Sequence, residues 1–170
     1  RYQHEAPVLA VCWSLDGARV ISGGADKVAR CFDLNTNQCN VVAQHNEPIR
    51  CVKFIASFGG ALVTGSWDRT IKIWKIDPQP TLITSIDLPE RVYGMDVIGN
   101  VIIVAMAERK IMAFQCNDAT GTAQQVYDQM SPLKFQTRSI AALPDGDGYA
   151  LGGTEGRVAC LLYTSDAADD

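Results

Sequence analysis

The fold depends on one stretch of the sequence: His-Asn-Glu-Pro-Ile at 45–49, Thr-Gly-Ser-Trp-Asp-Arg at 64–69 and Ile-Trp-Lys at 73–75. A looser copy comes before it, with His-Glu-Ala-Pro-Val at 4–8, Ser-Gly-Gly-Ala-Asp-Lys at 22–27 and Cys-Phe-Asp at 31–33. The two histidines lie 41 residues apart, and the two turn aspartates lie 42 apart. A fixed period of about 40–45 residues is typical of propeller blades made of four short strands. The chain is therefore predicted to be all-β.

Each copy divides into short apolar strands separated by turns. The first copy predicts strands at 8–13, 19–22, 28–32 and 39–43, and the second at 49–54, 61–64, 70–74 and 81–86. Two weaker copies predict strands at 91–97, 101–105 and 111–114, and then at 138–143 and 148–153. Residues 116–123 are rich in Asn, Asp, Thr and Gly, which predicts a loop.

These copies predict a partial propeller of the WD-repeat kind. The blades fall near residues 4–43, 45–86, 90–127 and 135–159, so the chain holds about three and a half to four of them. Closed propellers have about four to eight blades. We therefore expect a piece of a longer propeller, with open strand edges that favour aggregation.

The last residues are predicted to lie outside the fold. Residues 160–170 match the translation of a common transposase sequencing adaptor, which indicates a non-native tail. The tail holds three of the 19 acidic residues and none of the 15 basic ones, so the formal net charge of −4 falls to −1 without it. This balance neither favours nor excludes nucleic acid as a partner.

Composition narrows the class of protein further. No run of 18 uncharged apolar residues occurs, so no membrane span is predicted. The six cysteines have no paired spacing, which predicts free thiols in a reducing compartment. The two histidines occupy equivalent places in separate blades, and neither CxxC nor a phosphate-binding GxxxxGK[ST] occurs. We expect no metal and no cofactor.

His45, Thr64 and Asp68 have the side chains of a nucleophile, base and orienting acid. The repeat favours a structural interpretation, in which the three join Trp74 in a buried hydrogen-bonded network. A buried polar group without a partner costs about 1–3 kcal/mol, so a histidine in an apolar blade needs such partners. The first blade keeps His4, Ser22 and Asp26 but has Phe32 in place of the tryptophan, so its network is predicted to lack one donor.

Two residues, Trp67 and Arg157, are not required by the repeat. Trp67 occupies a turn where the first blade has Ala25, and it either packs against a neighbouring blade or is displayed as an anchor for a partner. Arg157 and Glu155 lie in the fourth turn. Arg157 is either a solvated charge at the start of a strand or a binding residue. Glu155, Arg157 and Trp67 are the candidate partner-binding residues.

Four further stretches resemble the Rae/Gle family of mRNA export factors: residues 88–91, 105–109, 131–138 and 155–158. The resemblance covers about residues 2–159. The Bub-type mitotic checkpoint protein is a close relative that shares the Trp-Asp turn, the Leu-Lys-x-Gln-Thr-Arg stretch and the Glu-Gly-Arg turn. Residues 88–91 and 107–109 favour the export factor, whereas residues 35–38 and 48–52 are more similar to the checkpoint protein.

The resemblance implies a seven-bladed, non-enzymatic scaffold of the nucleus and nuclear pore, present also in the cytoplasm. Its implied partner is a GLEBS-type segment of an FG nucleoporin, whose acidic residues would pair with Arg157. The checkpoint alternative implies a similar segment of a kinetochore kinase. RNA, ubiquitin-ligase and spindle partners are also implied, and a membrane is not. The sequence itself shows no basic strip interleaved with aromatic residues that would favour RNA.

Overall fold

The computed structural model describes residues 2–163, which fold into four antiparallel sheets. The first two sheets contain β1 (Val8–Trp13), β2 (Arg19–Gly24), β3 (Val28–Asp33) and β4 (Cys39–Gln44), then β5 (Ile49–Ile55), β6 (Ala61–Ser66), β7 (Thr70–Lys75) and β8 (Thr81–Asp87). The other two contain β9 (Val92–Ile98), β10 (Val101–Met106), β11 (Lys110–Asn117) and β12 (Thr122–Met130), then β13 (Thr137–Ala142), β14 (Gly148–Gly153) and β15 (Val158–Leu162). A helical turn at Ser57–Gly60 and a 3-10 turn at Ala107–Arg109 join strands.

Strands that follow each other in sequence are neighbours in each sheet. The first strands of the four sheets, β1, β5, β9 and β13, also pack side by side, so the sheets radiate from a common line. This is the arrangement of propeller blades around a channel. The prediction of an all-β, partial propeller is confirmed, and we number the blades 1 to 4 in chain order.

The hydrophobic core lies between blades. One cluster joins blades 1 and 2 and includes Ile21 and Leu62, and a second joins blades 2 and 3 and includes Ile71 and Val104. A third cluster joins blades 3 and 4 around the fully buried Tyr149. Because each blade buries its apolar side chains against its neighbour, blade contacts supply most of the hydrophobic stabilisation.

One glycine sets how closely blades 1 and 2 approach. A Cβ atom on Gly23 would lie 2.7 Å from Cγ2 of Ile49 and 2.9 Å from Cγ1 of Val52. Both distances are shorter than a carbon–carbon contact allows, so any side chain at this position would push the blades apart. Close blade packing therefore accounts for a glycine in the 22–25 stretch without a phosphate ligand.

The structure differs from the sequence prediction in blade 3. Strand β11 extends to Asn117 and β12 begins at Thr122, so the predicted loop at 116–123 shrinks to residues 118–121. Strand β12 has no counterpart among the predicted strands. It is the outermost strand, and most of its side chains face solvent, so the apolar alternation that reveals a strand is weak.

The propeller also continues past residue 159, the limit predicted from the sequence. Cys160–Leu162 complete strand β15, where Ala150 pairs with Cys160, and the ring of Tyr163 lies 5.2 Å from that of Tyr127. A third strand needs only backbone pairing and alternating small apolar residues, which this part of the tail supplies. The rest of the predicted tail, 164–170, lies outside the described residues.

All six cysteines are free thiols. Burial raises the pKa of Cys51 and of Cys116 to about 11, so these two thiols stay protonated at neutral pH. Within residues 2–163, no helix is long and apolar enough to cross a membrane.

Candidate partner-binding face

Two sets of loops lie at one end of the blades. One set is the turn between the second and third strands of each blade, and the other is the loop that leads into each blade, which we call the leading loop. The first turn residue of every blade donates its backbone N–H to a carbonyl of its leading loop: Ala25 to Pro7 (2.9 Å), Trp67 to Pro48 (3.0 Å), Ala107 to Arg91 (2.9 Å) and Thr154 to Gln136 (3.0 Å). We call this end of the molecule the turn face.

The predicted polar residues of blade 2 meet beneath this face. Nδ1 of His45 lies 2.9 Å from Oδ2 of Asp68, and Nε2 lies 2.8 Å from Oγ1 of Thr64. The indole Nε1–H of Trp74 donates to the same Thr64 oxygen at 2.9 Å. These contacts fit an Nδ1–H histidine, which donates to the carboxylate and accepts from the threonine hydroxyl.

The network is closed to substrate. Thr64 is 0% exposed and His45 is 3% exposed, so a would-be nucleophile and base have no route to a reacting atom. Burial lowers the pKa of His45 to about 4, although Asp68 opposes the shift. Burial alone would raise the pKa of Asp68, but hydrogen bonds from Thr70 and the Asn46 backbone, together with His45, bring it below its usual range. The neutral histidine and the charged aspartate are both suited to a structural role.

Blade 1 repeats the arrangement with a different donor. His4 lies 2.9 Å from Oδ2 of Asp26 and 2.7 Å from Oγ of Ser22. The prediction that Phe32 leaves this network one donor short is wrong. The hydroxyl of Tyr2 donates to Ser22 at 3.0 Å, and the Tyr2 ring stacks on Phe32 at 5.3 Å. A tyrosine from the leading end of the chain thus replaces the indole N–H.

Blades 3 and 4 keep the backbone of this motif and lose its histidine. The backbone N–H of His45 donates to the backbone carbonyl of Lys27. The backbone N–H groups of Leu88 and Ser131 make the equivalent bonds, to the carbonyls of Arg69 and Arg109. Leu88 and Ser131 therefore occupy the histidine position, and both are buried. The apolar Leu88 needs no polar partner, and the Ser131 hydroxyl accepts a hydrogen bond from the backbone N–H of Leu133 at 3.1 Å. The signature therefore fades while the blade remains.

Glu155 holds its own leading loop. Its Oε1 accepts a hydrogen bond from the backbone N–H of Lys134 at 2.9 Å. The turn carboxylates Asp26 and Asp68 make the same kind of bond, to the backbone N–H groups of Glu5 and Asn46. Glu155 is thus the blade 4 counterpart of the turn aspartate.

Arg157 and Trp67 are placed differently from the network residues. Arg157 is exposed, and its guanidinium makes no hydrogen bond or ion pair within residues 2–163. Trp67 is half-buried, and its Nε1–H is shielded from solvent without an acceptor in the described chain. Because the Trp67 ring is only half covered, the packed and the displayed interpretations both stay predictions.

A groove of about 610 Å³ opens on the turn face between blades 3 and 4. Its walls come from three of the four stretches that resemble the export factors: Glu90 and Arg91, Glu108 and Arg109, and Lys134 to Gln136. Tyr93 and Met130 complete it, and Phe135 is 60% exposed at its edge. Sequence analysis singles out these stretches but does not place them together, because they are separated by up to 46 residues.

Nη1 of Arg109 donates to the carbonyl of Leu133 at 3.3 Å, which ties the blade 3 turn to the blade 4 leading loop. A side chain–backbone hydrogen bond thus joins the two walls of the groove. No group of three or more His, Cys, Asp or Glu side chains in the described part of the chain is arranged to hold a metal ion.

Sheets of this topology, packed side by side through their first strands, define a partial β-propeller. The family described as "WD40: WD domain, G-beta repeat" matches residues 1–33 and 37–75, which are blades 1 and 2. The predicted resemblance to WD-repeat mRNA export factors is confirmed by curated relatives. These include the "Poly(A)+ RNA export protein" of Schizosaccharomyces pombe, which is 48% identical over 97% of this chain and 46% of that protein.

Two further curated relatives are also named as mRNA export factors. The "mRNA export factor GLE2" of Chaetomium thermophilum is 41% identical over 96% of this chain and 45% of its own length. The "mRNA export factor rae-1" of Caenorhabditis elegans is 37% identical over 91% and 43%. The chain thus spans less than half the length of the curated relatives it matches.

Solved structures show the same fold at low identity. A chain of the Mitotic Checkpoint Complex superimposes with a TM-score of 0.82 at 17% identity, covering 94% of this chain and 51% of that one. The computationally designed Ika4 protein superimposes with a TM-score of 0.78 at 18% identity, covering 94% and 93%. At these identities the likeness shows the fold alone.

Proposed function

We propose that this chain is part of a non-enzymatic propeller scaffold for mRNA export, and that its turn face binds a GLEBS-type acidic segment of an FG nucleoporin. The observation that carries the proposal is Arg157, an exposed guanidinium without an internal partner, on the face where the family-specific stretches also lie. The names of the relatives support export as the process.

The chemistry of Arg157 suits such a partner. A guanidinium presents a planar fork of N–H donors that a carboxylate accepts in pairs, and charge-assisted bonds of this kind are stronger than neutral ones. Within residues 2–163, Glu155 makes no ion pair with Arg157, and its Oε1 accepts the backbone N–H of Lys134 instead. An acidic segment is therefore the expected complement.

Trp67 and the groove would supply the apolar part of the interface. The half-buried Trp67 ring carries an N–H without an acceptor, so a carbonyl of a bound segment could satisfy it. A segment that orders on binding loses conformational entropy, and rigid aromatic anchors reduce the further cost on the receptor side. Phe135, exposed beside Lys134, offers a second anchor.

The same scaffold would act in the nucleus and at the nuclear pore, with a cytoplasmic pool. RNA contact, which the resemblance implies, would fall on the groove, where Arg91 and Lys134 flank Tyr93 and Phe135. Basic groups interleaved with aromatic rings bind single strands without sequence preference. Ubiquitin-ligase and spindle partners have no matching feature among the described residues.

The test uses Arg157→Glu in the full-length protein and calorimetry with a GLEBS peptide. We expect the substitution to weaken the binding free energy by more than about 1.5 kcal/mol, the scale of a charge-assisted contact. The Tm of the variant should stay close to that of the wild type. Lys75→Glu is the matched control, because Lys75 is exposed at the end of β7 away from the turn face. Unchanged affinity for Arg157→Glu would remove this site. A kinase-derived GLEBS peptide, titrated in parallel, separates the export scaffold from the checkpoint alternative.

A further inference from the structure

The end of the blades away from the turn face, which we call the opposite face, has a different charge from the turn face. Its loops join the first strand of each blade to the second and the third strand to the fourth: residues 14–18, 34–38, 56–60, 76–80, 99–100, 118–121 and 143–147. These loops hold five aspartates and no lysine or arginine, whereas the loops between strands on the turn face hold six acidic and six basic residues. The opposite face therefore attracts cations, and the turn face is balanced.

A groove crosses the opposite face where blades 1 and 2 meet. It consists of two cavities, of about 430 Å³ and 220 Å³, whose walls share Arg19, Ile76 and Asp77. Leu15 lines the smaller cavity and is 63% exposed, and Pro78 lines the larger one and is also exposed. We call the two cavities together the Asp77 groove. Its exposed apolar side chains would gain free energy if a partner covered them.

Three carboxylates and one guanidinium group set the charge of the Asp77 groove. Nη1 of Arg19 lies 2.6 Å from Oδ2 of Asp77, and Nε lies 3.3 Å from Oδ2 of Asp33. Asp16, the third carboxylate, forms no ion pair in the part of the chain that the structure describes. Lys75, at the end of β7, does not line the groove. One positive charge against three negative ones leaves a net charge of −2.

Hydrogen bonds keep the carboxylates charged and in place. The backbone N–H of Thr36 donates to Oδ1 of Asp33 at 3.0 Å and lowers the pKa of that carboxyl group. The Ser14 hydroxyl donates to Oδ1 of Asp16 at 2.5 Å and lowers its pKa in the same way. The side chain of Asp77 is 66% exposed, so it can accept further donors. A preorganised wall of this kind reduces the cost of binding.

The charge of the opposite face selects among the possible occupants. Nucleic acid is disfavoured, because its phosphates would be repelled. A second copy that docked through the same face would bring like charges together. No group of three or more His, Cys, Asp or Glu side chains among residues 2–163 is arranged to hold a metal ion, so the carboxylates are spread along the groove. An extended partner with several positive charges fits this distribution better than a single ion does.

We propose that the Asp77 groove docks an extended segment of a protein partner that carries lysine or arginine next to apolar residues. The cationic groups of the segment would pair with Asp16 and Asp77 in charge-assisted hydrogen bonds, while its apolar side chains cover Leu15 and Pro78. The groove contains none of the residues assigned to the GLEBS interface, and the two sites lie at opposite ends of the blades. The two partners would therefore not compete.

The experiment probes the full-length protein with an array of random ten-residue peptides. The wild type should bind a set of peptides that Asp16→Asn/Asp77→Asn binds at least tenfold more weakly, and that set should be enriched in lysine or arginine together with leucine, isoleucine or valine. Asp147→Asn is the matched control, because it removes the same charge from an exposed aspartate of the same face, in blade 4. This variant should bind the set as the wild type does. If no peptides depend on the two groove aspartates, or if those that do are not basic, the proposal is wrong.

The strongest peptide of the set is then titrated by calorimetry. Leu15→Ser should weaken its binding at least threefold, because the apolar wall also contributes. Spermine and Mg²⁺ at the same concentration should not displace it. Displacement by either cation, or unchanged binding by Leu15→Ser, would show a site for small cations and overturn the docking of a segment.

Two further measurements separate the Asp77 groove from the fold and from the turn face. The Tm of Asp16→Asn/Asp77→Asn should stay close to that of the wild type, because exposed ion pairs contribute little stability. The affinity of the same variant for a GLEBS peptide should equal that of the wild type, whatever that affinity is. A variant that loses both kinds of peptide would show general damage and would contradict an independent groove.

Discussion

His45 and Thr64 are polar side chains built into the apolar wall between blades, and each polar atom of the pair has a partner. The ring nitrogens bind a carboxylate and a hydroxyl, and the hydroxyl also accepts from Trp74. Satisfied networks of this type stabilise one arrangement of a core, because any alternative leaves a buried donor unpaired. At the scale of single residues, the network binds the leading loop to the turn and so shapes the turn face.

Asp68→Ala should destabilise the fold and not merely reduce binding. The change leaves His45, the Thr70 hydroxyl and the Asn46 backbone N–H without their acceptor, and we expect a loss of about 3 kcal/mol in the free energy of unfolding. Urea unfolding of the full-length protein measures it. Asp87→Ala, an exposed carboxylate at the end of β8, is the control and should change little. An unchanged Tm for Asp68→Ala would argue against the network.

His45 should make stability fall in mild acid. Its pKa is about 4 in the folded protein against 6.5 when exposed, so the unfolded state takes up the proton first as pH falls. The free energy of unfolding should be level above pH 6.5 and decline between pH 6.5 and 4, by about 3 kcal/mol from this group. Unfolding curves of the wild type and His45→Asn across this range isolate the contribution. Parallel pH dependence in the two proteins would refute it.

At the level of strands and turns, packing between blades decides which substitutions the fold tolerates. Gly23 in β2 faces Ile49 and Val52 of the first strand of blade 2. The same pair of blades also forms the Asp77 groove at the other end of its strands. Packing and site construction are thus properties of the same blade contact.

Gly23→Ala should destabilise the blade 1–blade 2 contact by about 1–3 kcal/mol, the usual cost of overpacking. Ile49→Ala removes the Cγ2 atom that the new methyl group would meet. The double variant should therefore lose less stability than the sum of the two single variants. Denaturant unfolding of the wild type, the two single variants and the double variant gives the four free energies of unfolding for this double-mutant cycle. Strict additivity would mean that the two residues do not oppose each other.

For the molecule as a whole, the described blades leave apolar side chains uncovered at both ends of the array. Val11 and Trp13 in β1 are 65% and 59% exposed, whereas Ala10 and Cys12 on the other side pack against blade 2. At the opposite end of the array, Val158 in β15 is 77% exposed. Contiguous exposed apolar surface of this kind promotes association.

The 170-residue chain alone should self-associate in a concentration-dependent manner, through these uncovered faces. Replacing Val11 and Trp13 together by lysine should raise the dissociation constant for self-association at least tenfold, because the added charges oppose stacking of the uncovered faces. Sedimentation velocity at several concentrations measures the shift. Leu82→Lys, on the outer strand β8 where the leucine is 43% exposed, is the matched control. A monomeric wild-type chain would contradict the prediction.

The sequence by itself determined the blades. The apolar runs, the turn glycines and the 40- to 42-residue spacing of His, Asp and Trp or Phe are local or regularly repeated signals. They therefore predict strands β1 to β11, β13 and β14, and the partners of His45. The polar outer strand β12 carries no such signal, since most of its side chains face solvent and its apolar alternation is weak. The stretches that resemble the export factors are also short and contiguous, so the sequence alone predicts the class of relatives.

Only the tertiary structure decided which distant residues meet. Tyr2 replaces an indole donor, Glu155 binds its leading loop, and three family-specific stretches become one groove. Asp16 and Asp77 are 61 residues apart and line one groove only because loops of blades 1 and 2 meet on the opposite face. Such sites depend on the way blades stack around the channel, and stacking brings together residues that no single window of sequence contains.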